Sequence, residues 1–260
     1  MLPSRVRMGL GLALLAVTLG CAAPYKGLTK PTPNLGGVSG DLQSLSDAAI
    51  ETYLKADMRP AFPTILAVAK VTDVREWNRD GWTSSARVEG IWGTEGQGWR
   101  ALAESGNPTA TLIEQVQTVS GLLVRPPATL KALRDGAAQL HAPLLLVYTQ
   151  ADDAQEGYND AGMLYWTIIG LFCVPGHTVG HYTACQAVLV DTRTGFVLGT
   201  AEGEAHHEEV CLPGAVSIAA DRTRTKSQSA AVQALQANVR QLLLDLSKRA
   251  APAGPGSAGR

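Results

Sequence analysis

Two short apolar runs, Ile65–Val71 with Lys70 as its one charged residue and Leu144–Tyr148, constrain this chain's fold more than any other feature. Each has the length and character of a buried strand, and each follows a segment of helical period closed by proline. Ser46 and Asp47 open the first helix, with Ile50, Tyr53 and Leu54 on one face and Pro60 and Pro63 closing it. Pro126 and Pro127 set up the second. There Leu130, Leu133, Ala137 and Leu140 recur at three- and four-residue intervals, ending before Pro143. Thr111–Val119 is a weaker strand candidate. This alternation predicts one α/β domain with a mixed sheet over 41–249.

Beyond the second run the pattern turns antiparallel, with strands expected at Leu164–Cys173, His181–Val190 and Phe196–Ala205. Asp191-Thr192-Arg193-Thr194-Gly195 punctuates them, since Asp folds its side chain onto a turn and Gly accepts positive φ. Val188–Val190 and Phe196–Leu198 should pair. From Ser227 to Arg249, Ala230, Ala231, Ala234, Leu235, Val239, Leu242, Leu243 and Leu246 share one wide face. This is a long closing helix whose stripe packs on the sheet.

The N-terminus carries an address. Arg5 and Arg7 precede an apolar stretch, Met8–Leu19, too short to span a bilayer, and Val17-Thr18-Leu19-Gly20-Cys21 reads as a lipobox. A peptidase would cut before Cys21, whose thiol is the nucleophile that takes a diacylglycerol, usually joined by an N-acyl chain such as palmitate. The alternatives are an ordinary secretory signal and an uncleaved hydrophobic helix. Ala22 replaces the Asp that retains enterobacterial lipoproteins at the inner membrane, so the expected location is the outer membrane, facing the periplasm, with surface exposure left open. Residues 1–20 are thus a signal peptide and 21–40, rich in Pro, Gly, Ser and Thr, a flexible tether. Residues 250–260 form a disordered tail.

Charge narrows the partners. The chain has a formal net charge of −1 and, without Arg5 and Arg7, a mature charge of about −3, which disfavours nucleic acid. Its 45% apolar content supports a packed core, and no later segment reaches the roughly 18 uninterrupted apolar residues of a membrane helix.

Leu144-Leu145-Leu146-Val147-Tyr148-Thr149-Gln150 and Leu164-Tyr165-Trp166-Thr167-Ile168-Ile169-Gly170 resemble the rhombotarget lipoproteins. That likeness implies a signal-anchored envelope protein and brings no catalytic residue. The Gly-Gly and membrane helix that some members carry at their C-terminus, where a rhomboid-type protease processes them, do not occur in Ala250–Arg260. More broadly, Val190-Asp191-Thr192-Arg193-Thr194-Gly195 is similar to the strand–turn–strand of periplasmic lipoproteins of the CsgG and LpoB types. Binding or assembly machinery is what this resemblance implies.

Cys173, His177, His181 and Cys185 fall at intervals of four. Two Cys and two His can hold zinc, but Pro175, Gly176 and Gly180 break a helix here and the spacing departs from the usual fingers. A disulfide is preferred in an oxidising periplasm, and the expected strand order favours Cys173 with Cys211, leaving Cys185 free. His206, His207, Glu208 and Glu209 are read as a solvated loop that could join His177 and His181 in a His-rich rim. Asp152, Asp153, Glu156 and Asp160 read as an acidic surface loop lacking the Gly and terminal Glu of a calcium loop. Trp77, Trp82, Trp92 and Trp99 lie in one Gly-rich segment, as a binding platform centred on Trp82 and Trp92 or as a satellite core. No nucleophile elbow, phosphate loop or dinucleotide fingerprint occurs. The reading is therefore non-enzymatic and without cofactor beyond the lipid on Cys21. Such a protein would bind an envelope protein or cell-wall component; metal handling or redox chemistry by the His/Cys cluster is the alternative.

Overall fold

The computed structural model describes residues 24–33, 46–55, 60–78, 81–167 and 172–250. The signal peptide, Cys21, residues 34–40 of the expected tether and the tail from 251 lie outside them. The chain forms the mixed α/β fold expected, a six-stranded mixed sheet with a long C-terminal helix.

In chain order the elements are α1 (Asp47–Lys55), β1 (Thr64–Asn78), β2 (Gly81–Glu89), α2 (Gly93–Arg100) and β3 (Ile113–Thr118). Then come α3 (Leu130–Gln139), β4 (Leu144–Tyr158), β5 (His177–Asp191), β6 (Val197–Cys211) and α4 (Val216–Ala250). The sheet order is β2-β1-β4-β5-β6. The apolar half of β1 lies between two parallel neighbours, with Leu66 opposite both Val116 of β3 and Leu144 of β4. Its polar half, Lys70 to Asn78, pairs antiparallel with β2. Thr192 N donates to Pro143 O at 2.8 Å and Asn159 N to Gly176 O at 3.0 Å, so the start of β4 meets the end of β5 and the two run antiparallel.

Two compact units divide the described chain: unit 1 takes Asp152–Tyr182, His206–Gln228 and the N-terminal residues to Lys30, and unit 2 takes the rest. The boundaries after Ala151, Tyr182, Ala205 and Gln228 fall inside β4, β5, β6 and α4.

Unit 2 is a sheet packed on both faces. Leu66, Val68, Leu144, Leu146 and Leu189 meet Trp99 and Leu102 together with Leu235, Val239 and Leu243 of α4. On the opposite face Ala67, Ala69, Leu145 and Val147 meet Leu130, Leu133 and Ala137 of α3. The three- and four-residue spacing in α3 and α4 presents these side chains, and Thr129 caps α3 by accepting from Ala132 N at 3.2 Å. The expected turn forms: Asp191 Oδ1 accepts from Thr194 N at 2.7 Å and Thr194 Oγ1 at 2.9 Å, and Gly195 takes φ +80°.

Several expectations are corrected. Leu164–Cys173 supplies no strand in its described residues; Asp160–Trp166 is a 3-10 turn, and β4 itself extends to Tyr158. The acidic residues Asp152, Asp153 and Glu156 thereby lie on a strand, as do His206, His207, Glu208 and Glu209 on β6. The closing helix begins at Val216, well before Ser227. On α1, Ile50 and Leu54 are exposed.

Candidate functional site

Unit 1 brings together most of the residues the sequence singled out, on two faces of the outer halves of β4, β5 and β6. Strand alternation sorts them. Asp152, Glu156, Val179, His181, Glu209 and Cys211 turn toward the first turns of α4; Asp153, Gly157, Gly180, Tyr182, His206 and Glu208 turn the other way.

On the helix face, His181 is buried and its Nε2 lies 3.2 Å from Asp152 Oδ1, while Gln228 Nε2 donates to Asp152 Oδ2 at 3.1 Å. The carboxylate therefore ties β5 and α4 to β4. Beside it lies a pocket of about 250 Å³ whose lining includes Glu156, His181, Thr223 and Arg224. Arg222 pairs with Glu209, and Val179, Cys211 and Ala219 pack into a small core.

The opposite face is covered by the chain's own N-terminus. Pro24 bridges Tyr158, and Tyr25 N donates to Tyr158 O at 3.0 Å. The Tyr25 hydroxyl reaches β6, donating to Glu208 Oε1 at 2.7 Å; desolvation first, then the carboxylate, push its pKa well above the usual phenol range. Thr29 returns to β4, its N and Oγ1 each 2.9 Å from Asp153 Oδ2. Two glycines make the crossing possible. A Cβ on Gly157 would collide with the Tyr25 backbone, and one on Gly180 with the Tyr25 hydroxyl and Leu28. Residues 24–30 are thus a docked strap, and the tether expected over 21–40 is not free throughout. Docking rests on hydrogen bonds and missing Cβ atoms more than 120 residues away, which composition does not register.

Where the strands of unit 1 end, Tyr158, Tyr165 and His177 form an aromatic cluster, with ring centroids 4.5 Å apart for Tyr158–His177 and 5.6 Å for Tyr165–His177. Tyr165 Oη accepts from Gly176 N at 2.6 Å. Burial lowers the pKa of His177 and raises those of Tyr165 and Cys211. Burial thus disfavours the charged form of His177, whose ring packs as an aromatic in a stack.

The His and Cys residues singled out for a metal are engaged in separate contacts. Among the described residues no three His, Cys, Asp or Glu gather as a metal site. His177 is in the stack, His181 is paired with Asp152, His206 stacks on Tyr182 at 5.8 Å, and His207 Nδ1 lies 2.8 Å from its neighbour's carbonyl. Cys173, Cys185 and Cys211 form no disulfide with one another, Cys173 being exposed and the other two buried. The expected Cys173–Cys211 bridge is not formed, and the described residues of Leu164–Cys173 supply no strand to carry Cys173 alongside Cys211.

The four tryptophans of the Gly-rich segment, all within unit 2, separate as well. Trp99 is fully buried against Tyr148, at 5.3 Å between ring centroids, and belongs to the core. Trp92 is 81% exposed at the start of α2, its indole lying over Gly90. Trp77 and Trp82 pair in backbone register across the β1–β2 hairpin; their side chains are outside the described set. Unit 2 also holds an open cleft of about 800 Å³, lined by Pro60, Pro63, Glu114, His141 and Arg193 among others. The buried hydroxyls of Thr64 and Thr192, which line the same cleft, find no partner among the described residues. Sequence reasoning missed this cleft, since its lining is drawn from segments more than 100 residues apart.

No known protein family matches the chain, and no curated protein does. Among solved structures, a Xanthomonas campestris protein of family DUF330 aligns at 10% identity and TM-score 0.31, covering 73% of this chain and 92% of its own. A Caulobacter crescentus CB15 protein, classed provisionally as a lipoprotein, aligns at 15% identity and TM-score 0.20, covering 47% of this chain and 82% of its own. No helix among the described residues is long and apolar enough to cross a membrane.

Proposed function

We propose that this chain is a lipid-anchored protein of the bacterial envelope, with Cys21 as the acylated residue and a non-enzymatic binding or assembly role at the outer membrane, facing the periplasm. The single observation that carries the reading is the strap: Pro24, three residues after the lipobox cysteine, is bridged to Tyr158 of unit 1. A cleaved, acylated Cys21 would then be joined to a packed unit through only Ala22 and Ala23. Ala22, in place of Asp, supports sorting to the outer membrane. The partner, an envelope protein or cell-wall component, would meet unit 2 at the exposed Trp92 indole or in the cleft with its two unpaired hydroxyls. An aromatic held over a glycine is a rigid anchor of the kind binding surfaces use.

Palmitate labelling in the native host tests the anchor. Labelled wild type and an unlabelled Cys21→Ser variant are expected; equal labelling of both contradicts the assignment. Crosslinking capture from intact cells tests the binding surface. Trp92→Ala should lose partner recovery without lowering the melting temperature, and unchanged recovery removes Trp92 from the proposal.

A further inference from the structure

The exposed apolar side chains of unit 1 are gathered at one end. Met163 is 79% exposed, Leu164 50%, Phe172 71%, Val210 54%, Leu212 39% and Ile218 59%. All lie at or just beyond the point where β4 leaves at Tyr158, β5 enters at His177, β6 arrives at Cys211 and α4 starts at Val216. Direct contacts fix these connections together. Gly162 lies beneath the Tyr158 side chain and against Gly176, Gly176 N is bonded to Tyr165, and Val179, Cys211 and Ala219 pack behind them. Large apolar side chains concentrated in the turns and element ends at one end are not explained by unit 1's core, which they do not enter.

The N-terminal strap reaches the same end. Pro24 bridges Tyr158, the last residue of β4. Only Ala22 and Ala23 separate Pro24 from Cys21, so three Cα–Cα steps keep Cys21 within about 11 Å of Pro24.

We infer that this end of unit 1 is a membrane-docking surface, whose apolar side chains seat in the acyl boundary of the bilayer that holds the Cys21 lipid. The inference rests on the lipoprotein reading and adds to it. The occupant is argued from the chain: an acyl group on Cys21 cannot enter a bilayer without bringing the Tyr158 end of unit 1 to its surface. Seating Phe172, Met163 and Ile218 there removes apolar area from water next to an anchor that has already met the entropic cost of localisation. Unit 1 is then held on the lipid, not swivelling above it.

The lipidated full-length protein carries its own probe, because Cys173 is exposed beside Phe172 while Cys185 and Cys211 are buried. Bimane on Cys173, in phosphatidylethanolamine–phosphatidylglycerol vesicles, should lose most of its emission when the acyl chains are brominated. A Cys173→Ser, His206→Cys variant places the label five residues up β6 from Cys211, about 17 Å away, where emission should persist. Met163→Glu, Phe172→Glu and Ile218→Glu together should abolish quenching at Cys173 while circular dichroism is unchanged, these side chains being exposed. Mass spectrometry of the N-terminal peptide separates the two claims. An acylated peptide with no quenching, or equal quenching at both positions, overturns the docking and leaves the lipoprotein reading standing; an unacylated Cys21 overturns both. Shielding of Cys173 that scales with protein-to-lipid ratio would assign the surface to a second copy and overturn the inference.

Discussion

Within one strand, β4, two different kinds of physics hold the chain. Leu144 to Thr149 are all buried, each 3% exposed or less, and both of their faces meet helices. From Asp152 onward the same strand alternates, with Asp152 held by His181 and Gln228 on one face and Asp153 by Thr29 on the other. Unit 2 is stabilised by apolar area and unit 1 by side-chain hydrogen bonds and a strap. The difference teaches that a continuous strand need not mean a uniform source of stability.

The largest effect should come from unit 2. Leu146→Ala or Leu133→Ala, both fully buried, should cost about 2–5 kcal/mol in urea denaturation. Val179→Ala, in unit 1's small core, should cost only about 1–2 kcal/mol. Equal losses would break the contrast.

Next is the strap. Gly157→Val drives a side chain into the Tyr25 backbone, so residues 24–30 should lift and be cleaved far faster in limited proteolysis, with about 1–3 kcal/mol lost. Asp153→Ala removes the acceptor of both Thr29 bonds and should cost about 1 kcal/mol, with the same proteolytic signature. If either variant lowers global stability while the strap stays protected, the strap is not what those residues hold.

The smallest effect is the pH response of unit 1. Burial depresses the folded pKa of His177 below its unfolded value, so below about pH 6.5 the unfolded chain binds more protons and stability falls. The loss accumulates as pH drops from the unfolded pKa to the folded one and levels off below that. His177→Phe, which keeps a ring in the stack with Tyr158 and Tyr165, should flatten this part of a stability-against-pH curve. An unchanged slope would assign the response elsewhere.

The contrast also explains what could be read from sequence. Ile65–Val71, Leu144–Tyr148, the spacing in α3, the Asp191–Gly195 turn and the stripe of α4 all draw on hydrophobic period or turn chemistry, which are local. They built unit 2. Unit 1 was misread where its physics is non-local. The set Asp152, Asp153, Glu156 and Asp160 reads as an acidic loop until His181, Gln228 and Thr29 supply partners to Asp152 and Asp153 from distant segments. Leu164–Cys173 has the apolar content of a strand, but the Tyr165 hydroxyl binds Gly176 N and the described part closes as a 3-10 turn. The Pro/Gly-rich strap reads as a tether because its anchoring glycines lie on β4 and β5. The Trp99 and Trp92 indoles, seven residues apart, end buried and exposed because α2 turns one toward Tyr148 and begins at the other.

The claim on which the rest depends is that residues 24–30 are part of unit 1. Hydrogen–deuterium exchange at single-residue resolution on the native, full-length protein tests it directly. The amides of Tyr25 and Thr29, bonded to Tyr158 O and Asp153 Oδ2, should exchange well below their intrinsic rates, and Thr29 should lose that protection in Asp153→Ala. Exchange of both at intrinsic rates in the wild type would make the segment a free tether and contradict the account.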